Sequence, residues 1–404
     1  MIDYTTMATQ HIMTTEQTTV LGHWVVRVKP YLSPELVQKE HLSLLAEKTE
    51  DPATRFNVDI LQQFDLYDLK GYSAKFDDAS KEELERMPHV LSIEPEQLYR
   101  HCNVQPNAPW GISRVSTRAK LGAPPYSYTY RDDVAGSGTV AYVIDTGIND
   151  KHVEFQGRAK KGPKFVSDNV SNDKDVHGHG THCAGTIASQ AYGVAKKANV
   201  VGVKVFGDRT GTAQTSDIIK ALEWVVSDVS ARGIGGRAVV NMSFGGPPSD
   251  ALDAAVASTV RVGVVACAAA GNAKRGMPPE EVNESPAREP LAITVGATDV
   301  NDHLAGFSFY GKFVDILAPG VDILSCWKGG PTSTETISGT SMATPHVAGV
   351  ACCLLSDPSL ATGQLTTYDV MSKILILADK NKIAGTDART INALVHNTTS
   401  PMDA

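Results

Sequence analysis

The hydrophobic positions divide the chain into two segments with different patterns. Between residues 23 and 102, short apolar stretches alternate with frequent charged residues. Beyond Pro109 the apolar runs are continuous, and the sequence around them is rich in Gly, Ala, Ser and Thr. Because continuous apolar runs are typical of strands buried on both faces of a sheet, we expect two domains with different architectures.

The first segment predicts a small α+β domain. Strands are expected at 23–29, 61–66, 71–76 and 90–93, and helices at 34–48 and 80–87. Ser80 and Glu83 have the spacing of a capping box, which indicates the start of the second helix. The order strand, helix, strand, strand, helix, strand fits a ferredoxin-like fold.

The second segment predicts an α/β domain with three layers. Strands are expected at 139–144, 199–205, 239–243 and 262–268, and helices at 180–188, 215–230 and 250–260. This alternation favours a mostly parallel central sheet with helices on both faces. The predicted domains are therefore 23–102 and 103–404, and residues 1–22 form an extension that we expect to be disordered.

Composition and charge restrict the class of protein. The 404 residues carry a formal net charge of −8, and 42% of them are hydrophobic, which is typical of a globular chain. This acidic balance argues against a nucleic-acid partner. No apolar run reaches the roughly 18 residues of a membrane span. We therefore expect neither nucleic acid nor a membrane as a partner, and the lack of a coiled-coil pattern favours a monomer.

Two positions combine a reactive side chain with a suggestive local pattern. Asp145 follows the apolar strand at 139–144, and a carboxylate at the carboxyl end of a strand either orients an imidazole or caps a turn. Ser341 lies at the predicted start of a helix of small residues, within the stretch SGTSMATPHVAG at 338–349. Backbone N–H groups and the helix dipole favour negative charge at that position.

A histidine cluster offers either a metal site or a general base. His177, His179 and His182 have the spacing H-x-H-x-x-H. This spacing resembles the zinc signature of the metallo-β-lactamases, in which an Asp stands at the position of Thr181. That family also needs further His and Asp ligands downstream, and no matching set follows here.

Three sequence strings together resemble the subtilisin-like serine proteases. They are VIDTG at 143–147, HGTHCAGT at 179–186 and SGTSMATPHVAG at 338–349, and their order Asp, His, Ser is that of the family. Further stretches resemble its proteinase K branch, namely 107–111, 269–272, 315–320 and 390–397. Residues 23–102 resemble the inhibitor-type propeptide of the same enzymes through 71–76 and 90–95.

The resemblance implies a serine endopeptidase with an Asp-His-Ser triad. Ser341 would be the nucleophile, His179 the general base and Asp145 the group that orients the imidazole. Asn272 would hold the oxyanion together with the N–H of Ser341. A relative that has lost activity and only binds peptides, and a zinc hydrolase, are the alternatives.

The resemblance also implies where a substrate would bind. The first specificity pocket would lie between Ser243-Phe244-Gly245 and the stretch from Ala269 to Gly271, and Gly211-Thr212-Ala213 would form the second edge for an extended peptide. Since glycine and apolar residues predominate at these positions, we expect broad specificity that favours apolar and aromatic residues.

One structural calcium ion is implied, and no catalytic metal. Asp315 with the backbone carbonyls of Pro290 and Ala292 matches the tight calcium site of the proteinase K branch; a turn-capping Asp is the alternative. Val140 and Ile293 stand at two half-cystine positions of that branch, which indicates that its disulfides are absent.

The resemblance implies a self-processing zymogen. The propeptide would act as an intramolecular inhibitor until cleavage near Cys102, before Asn103, although a domain that stays attached is the alternative. The family implies a secreted or vacuolar protein. Residues 1–19, however, show neither the basic start nor the apolar core of a secretory signal.

Overall fold

The computed structural model describes residues 19–31, 33, 39, 59–97, 102–167, 172–358, 360 and 366–397. The chain divides into two compact units, Met1–His101 and Cys102–Ala404. Most of the helix predicted at 34–48, and nearly all of the extension predicted at 1–22, lie outside the described residues.

In the first unit, four antiparallel strands form one sheet. The elements are β1 (Thr19–Val28), β2 (Asp59–Leu66), β3 (Leu69–Lys75), α1 (Asp78–Glu85) and β4 (Val90–Gln97). The strand order is β2-β3-β1-β4, and every pair is antiparallel. Leu84 of α1 joins Val26, Tyr72 and Phe76 in one buried core, so the helix packs on the sheet as in the predicted ferredoxin-like fold.

Helix α1 begins earlier than the sequence predicted. Its N-cap is Asp77, whose carboxylate accepts the N–H of Ser80 at 2.8 Å. Asp is a strong N-cap residue because its side-chain oxygen satisfies an N–H that has no partner within the helix. Ser80 is buried inside the helix, and the predicted capping box of Ser80 and Glu83 is therefore wrong.

Besides two 3-10 helices at Asp132–Val134 and Val153–Phe155, the described part of the second unit contains strands and α-helices. They are β5 (Asn103–Ala108), α2 (Trp110–Val115), β6 (Tyr126–Tyr130), β7 (Val140–Asp145), β8 (Ala159–Lys164), α3 (His179–Ala188), β9 (Asn199–Lys204), α4 (Thr215–Arg232), β10 (Ala238–Met242), α5 (Asp250–Arg261), β11 (Val264–Ala269), β12 (Ile293–Thr298), β13 (Ile316–Pro319), β14 (Ile323–Cys326), β15 (Thr334–Ile337), α6 (Thr340–Ser356), α7 (Thr367–Leu377), β16 (Asp379–Lys380) and β17 (Ala393–Leu394).

A nine-stranded sheet forms the centre of this unit. Its order is β16-β17-β13-β12-β11-β10-β7-β9-β8, and among these described strands only β16 and β17 pair in antiparallel fashion. Every residue of β7, β10 and β11 is buried, as their continuous apolar runs predicted, and so is every residue of β12, which the sequence analysis did not identify. The predicted α/β class with a mostly parallel sheet is confirmed.

Helix α6 runs through the core on one side of the sheet. It packs against β10, β11 and β12 and against α3, and its residues from Met342 to Leu355 are all buried. Small side chains make this approach feasible: a Cβ at Gly349 would lie only 2.6 Å from Cβ of Val194. The packing fixes the N-terminus of α6, and with it Ser341.

Candidate active site

Asp145 is the last residue of β7, at the carboxyl end of a central parallel strand. Its side chain is fully buried, and Oδ1 accepts the N–H of Thr146 at 2.7 Å. Active residues of open α/β sheets concentrate at this edge, because the loops that follow neighbouring strands converge there.

His179 is the first residue of α3 and pairs directly with Asp145. Its Nδ1 lies 2.8 Å from Oδ1 and 2.9 Å from Oδ2 of that carboxylate. The close approach of helix and strand requires the following glycine, since a Cβ at Gly180 would lie 2.2 Å from the carbonyl oxygen of Gly147. With Nδ1–H donated to Asp145, Nε2 of His179 is the ring nitrogen that remains to act as a base.

The charge of Asp145 governs the titration of His179. Burial disfavours the imidazolium, but the neighbouring carboxylate outweighs this effect and raises the pKa of His179 above its ordinary value. Cys183 lies one helical turn further along α3, with Sγ 4.0 Å from Nδ1. Burial raises the pKa of this thiol, so Cys183 stays neutral and packs as a small apolar group.

The other two histidines of the cluster do not join His179. His177 is exposed, with its ring centroid 6.3 Å from that of His179. His182 is buried, and its Nε2 lies 2.9 Å from the carbonyl oxygen of Ile323. Among the described residues, the one group of three metal-ligating side chains in this region is Asp145, His179 and Cys183. The H-x-H-x-x-H spacing therefore does not produce three converging imidazoles.

Asp175 organises the loop before His179, and the sequence analysis missed it. This buried carboxylate accepts the N–H of Gly178 at 2.7 Å and both the N–H and the hydroxyl of Thr181, and it also accepts the hydroxyl of Thr146 at 2.9 Å. Burial raises the pKa of Asp175, but these hydrogen bonds outweigh that effect and bring it below the ordinary value. The available signal was an Asp four residues before the histidine, in the N-cap region of a helix.

Ser341 lies in the first turn of α6, where the backbone N–H groups have no partner within the helix. Its hydroxyl donates to the carbonyl oxygen of Ser243 at 2.8 Å, and no hydrogen bond joins it to His179 in this conformation. Cys183 links the two sites, because its Sγ also lies 3.5 Å from the carbonyl oxygen of Ser341. Rotation about the Cα–Cβ bond of Ser341 redirects Oγ, and catalytic hydrogen bonds often tighten only when substrate binds.

Asn272 is anchored so that its amide nitrogen is left unengaged. Its Oδ1 accepts the N–H of Thr340 at 2.8 Å and the Thr340 hydroxyl at 3.2 Å. Because Oδ1 is held by the residue preceding Ser341, Nδ2 of this exposed side chain is directed away from that contact. The Asn272 amide and the N-terminus of α6 together offer two donors for an oxyanion.

The predicted substrate-binding residues lie on three segments at the same end of the sheet. Ser243, Phe244 and Gly245 follow β10, Ala269 to Gly271 end and follow β11, and Gly211, Thr212 and Ala213 lie in the loop before α4. Phe244 is half-buried and contacts Phe206 edge to face, with the ring centroids 5.5 Å apart. Gly211, Thr212 and Gly245 are exposed.

Asp315 immediately precedes β13 and faces the start of β12. Its Oδ2 accepts the N–H of Thr294 at 2.8 Å. Burial raises the pKa of Asp315 to about 7, and the hydrogen bond from the N–H of Thr294 offsets this effect only in part. Pro290 and Ala292 lie just before β12, at this same end of the strand pair.

Comparison with known proteins shows what the chain is similar to. The model of the Subtilase family matches residues 136–391, and that of Peptidase inhibitor I9 matches residues 23–101. "Alkaline protease 1" of Aspergillus clavatus is 44% identical over 339 residues, which are 81% of this chain and 80% of the relative. "Cuticle-degrading protease" of Metarhizium anisopliae is 45% identical over 323 residues, 79% of each chain. The structure of a cold adapted subtilisin-like serine proteinase matches with a TM-score of 0.63 and 41% identity, over 73% of this chain and all of the other.

Proposed function

The chain belongs to the subtilase family of serine proteases and carries an inhibitor-type propeptide domain, and from this premise we propose that Asp145, His179 and Ser341 form its catalytic triad. The observation that carries the proposal is the 2.8 Å contact between Asp145 and Nδ1 of His179. It defines the tautomer in which Nε2 accepts a proton from a serine hydroxyl.

In the proposed mechanism, each of these residues has a defined role in peptide hydrolysis. His179 takes the proton of Ser341 as Oγ attacks the substrate carbonyl carbon, and Asp145 stabilises the resulting imidazolium. The oxyanion is held by the N–H of Ser341 and Nδ2 of Asn272. His179 then passes its proton to the leaving amine. Water repeats the sequence on the acyl-enzyme and frees Ser341.

The substrate would bind as an extended strand. Ser243 to Gly245 and Gly211 to Ala213 present backbone edges between which a peptide can pair. Because the N–H and carbonyl groups of a peptide are the same whatever its side chains, such binding favours broad specificity. The half-buried ring of Phe244 supports acceptance of apolar and aromatic side chains along the cleft.

We also propose that calcium binds at Asp315 with the carbonyls of Pro290 and Ala292. The donor set fits, because calcium prefers oxygen ligands and a buried carboxylate gains from a cation. When bound, the ion would neutralise Asp315 and tie the start of β12 to the start of β13. Its role is structural, since the proposed triad includes none of these residues.

The propeptide suggests how activity is controlled. We propose that residues 23–102 inhibit the protease until self-cleavage near Cys102, and that the protein is secreted or vacuolar. Among the described residues, no helix is long and apolar enough to cross a membrane.

Intact mass of the wild type beside Ser341→Ala, both in calcium-containing buffer, tests the proposed function. We expect the wild type to lose about the first 102 residues and the variant to stay full length, because maturation requires the nucleophile. A fluorophosphonate probe should label Ser341 in the wild type only. Two uncleaved, unlabelled but folded proteins would favour the binding-only relative, and chelator-sensitive hydrolysis by Ser341→Ala would favour the zinc hydrolase.

A further inference from the structure

A carboxylate occupies the space between the two backbone edges of the first specificity pocket. A Cβ built on Gly245 would lie 2.2 Å from Oε2 of Glu284, and a Cβ built on Gly271 would lie 3.2 Å from the same oxygen. One carboxylate oxygen therefore lies in the space that a side chain would take at either of the two glycines, which the sequence analysis assigned to opposite walls. Glu284 was not among the predicted residues, and the pocket is not purely apolar.

The backbone fixes Glu284 in this place. Gly246 and Ser285 form an antiparallel bridge, in which each N–H donates to the other carbonyl at 3.0 and 3.1 Å. This bridge attaches the Glu284 segment to the chain that follows β10. The carbonyl of Glu284 also accepts the N–H of Arg288 at 2.9 Å, which holds the next turn. Its approach to Gly245 thus follows from backbone pairing.

The side chain of Glu284 is half-buried, and within the described residues its carboxylate makes no hydrogen bond or ion pair. Burial raises the pKa of Glu284, the charge of Glu280 raises it further, and Lys274 lowers it. A half-buried, unpaired carboxylate loses hydration free energy, and only a nearby cation would compensate for this loss. Gly245, which the Glu284 carboxylate approaches, is exposed.

We propose that Glu284 makes the first pocket select a lysine or arginine, at the substrate residue whose carbonyl Ser341 attacks. The inference rests on the proposed function and refines it. Either side chain carries an apolar stem, which fits between two glycines, and a positive head, which pairs with the carboxylate. The apolar and aromatic preference expected from sequence then applies to the outer positions of the cleft.

Peptide p-nitroanilides that differ only in the last residue test this proposal. The ratio of kcat/KM for the Lys substrate over the Met substrate is the readout at pH 8, because the two side chains have similar length and differ in charge. We expect Glu284→Gln to lower this ratio at least tenfold, which corresponds to about 1.4 kcal/mol. The Lys/Met ratio should fall mainly through a higher KM for Lys.

The matched control is Glu280→Gln, which removes a nearby exposed carboxylate outside the contact with Gly245 and Gly271. It should leave the Lys/Met ratio unchanged within about twofold, since loss of the Glu280 charge favours the ionised form of Glu284 and leaves its carboxylate in place. A ratio that stays unchanged in Glu284→Gln would overturn the proposal. So would a rise in hydrolysis of a Phe substrate without loss on Lys, because Glu284 would then only fill the pocket.

Failure of the proposed function gives a different result. In that case the wild type hydrolyses none of the substrates, or Ser341→Ala hydrolyses them equally well. Because the ratio compares two substrates on one preparation, it does not depend on the fraction of Glu284→Gln that folds and matures. Labelling of Ser341 by the fluorophosphonate probe shows whether the Glu284→Gln preparation contains active enzyme.

Discussion

The pairing of Asp145 with His179 predicts a specific change in the pH profile of kcat/KM. Because the carboxylate raises the pKa of His179, removing its charge lowers that pKa. At low pH the imidazole is protonated and inactive, which produces the acid limb of the kcat/KM profile. In Asp145→Asn this limb should move to lower pH. The plateau should fall about 10⁴-fold, since the imidazole loses its orientation and tautomer.

A pH titration of hydrolysis with purified Asp145→Asn and wild type measures both effects. The variant must be matured by added wild-type enzyme, because its own processing is slow. An acid limb that stays in place, or moves to higher pH, would contradict the assigned charge interaction even if the plateau falls.

Asp175 holds the loop before His179, and we expect it to act as a positioning residue for the proposed triad. Its Oδ2 accepts two hydrogen bonds from Thr181, and Oδ1 accepts the N–H of Gly178. Asp175→Asn replaces one carboxylate oxygen, which accepts hydrogen bonds, by an NH₂ group. Two hydrogen-bond donors then face each other. We expect kcat to fall about 10- to 100-fold with little change in KM, because displacing a catalytic group by about 1 Å has a cost of that order.

The control for Asp175 lies two residues away. Asp173 is 68% exposed and pairs with Lys161 at 3.3 Å, so Asp173→Asn should change kcat less than twofold. Hydrolysis of one peptide substrate, with active enzyme counted by fluorophosphonate labelling, separates a slower enzyme from a smaller amount of it. If KM for Asp175→Asn rose by the same factor as kcat fell, the result would instead indicate a general collapse of the loop.

At the scale of elements, four central strands could be predicted, whereas the central strands β12 and β13 and the edge strand β8 were not identified. The strands β7, β9, β10 and β11 lie within two residues of the predicted bounds, because burial on both faces requires an uninterrupted apolar run. β8 has the sequence AKKGPK and lies at the edge of the sheet, where one side faces solvent. Because of its lysines, β8 contains no apolar run from which a strand could be predicted.

The same reasoning explains which parts of the site the sequence indicated. Asp145, His179 and Ser341 stand in long motifs whose neighbours are small residues, which helices α3 and α6 need for close packing. Asp175 and Glu284 have no such motif. Their roles depend on hydrogen bonds to a loop and on a two-residue bridge, and these contacts arise only once distant segments have come together.

At the scale of the whole molecule, the sheet brings together residues that are far apart in sequence. Asp145 ends β7, His179 begins α3, and Ser341 belongs to the first turn of α6. Cys183 contacts both His179 and the carbonyl of Ser341, so a buried neutral thiol joins the two helices. The proposed catalytic arrangement would thus depend on core packing as well as on the reactive groups.

The specificity inferred for Glu284 leads to a prediction about the junction between the two units. The sequence near the junction is Tyr99-Arg100-His101-Cys102-Asn103, which offers one basic residue. If the first pocket selects a positive side chain, self-cleavage follows Arg100. Cleavage before Asn103 would cut at the first residue of β5, which pairs with Tyr130 of β6.

Intact mass and N-terminal sequencing of the matured protein distinguish the two bonds. We expect the mature chain to begin at His101. Arg100→Lys should mature like the wild type, and Arg100→Gln should mature at least tenfold more slowly. The reason is that only Arg100→Lys keeps the charge that Glu284 would pair with. Glu284→Gln should reduce the difference between Arg100→Lys and Arg100→Gln. A mature chain that begins at Asn103, at the same rate in both Arg100 variants, would show that the charge of the pocket does not direct maturation.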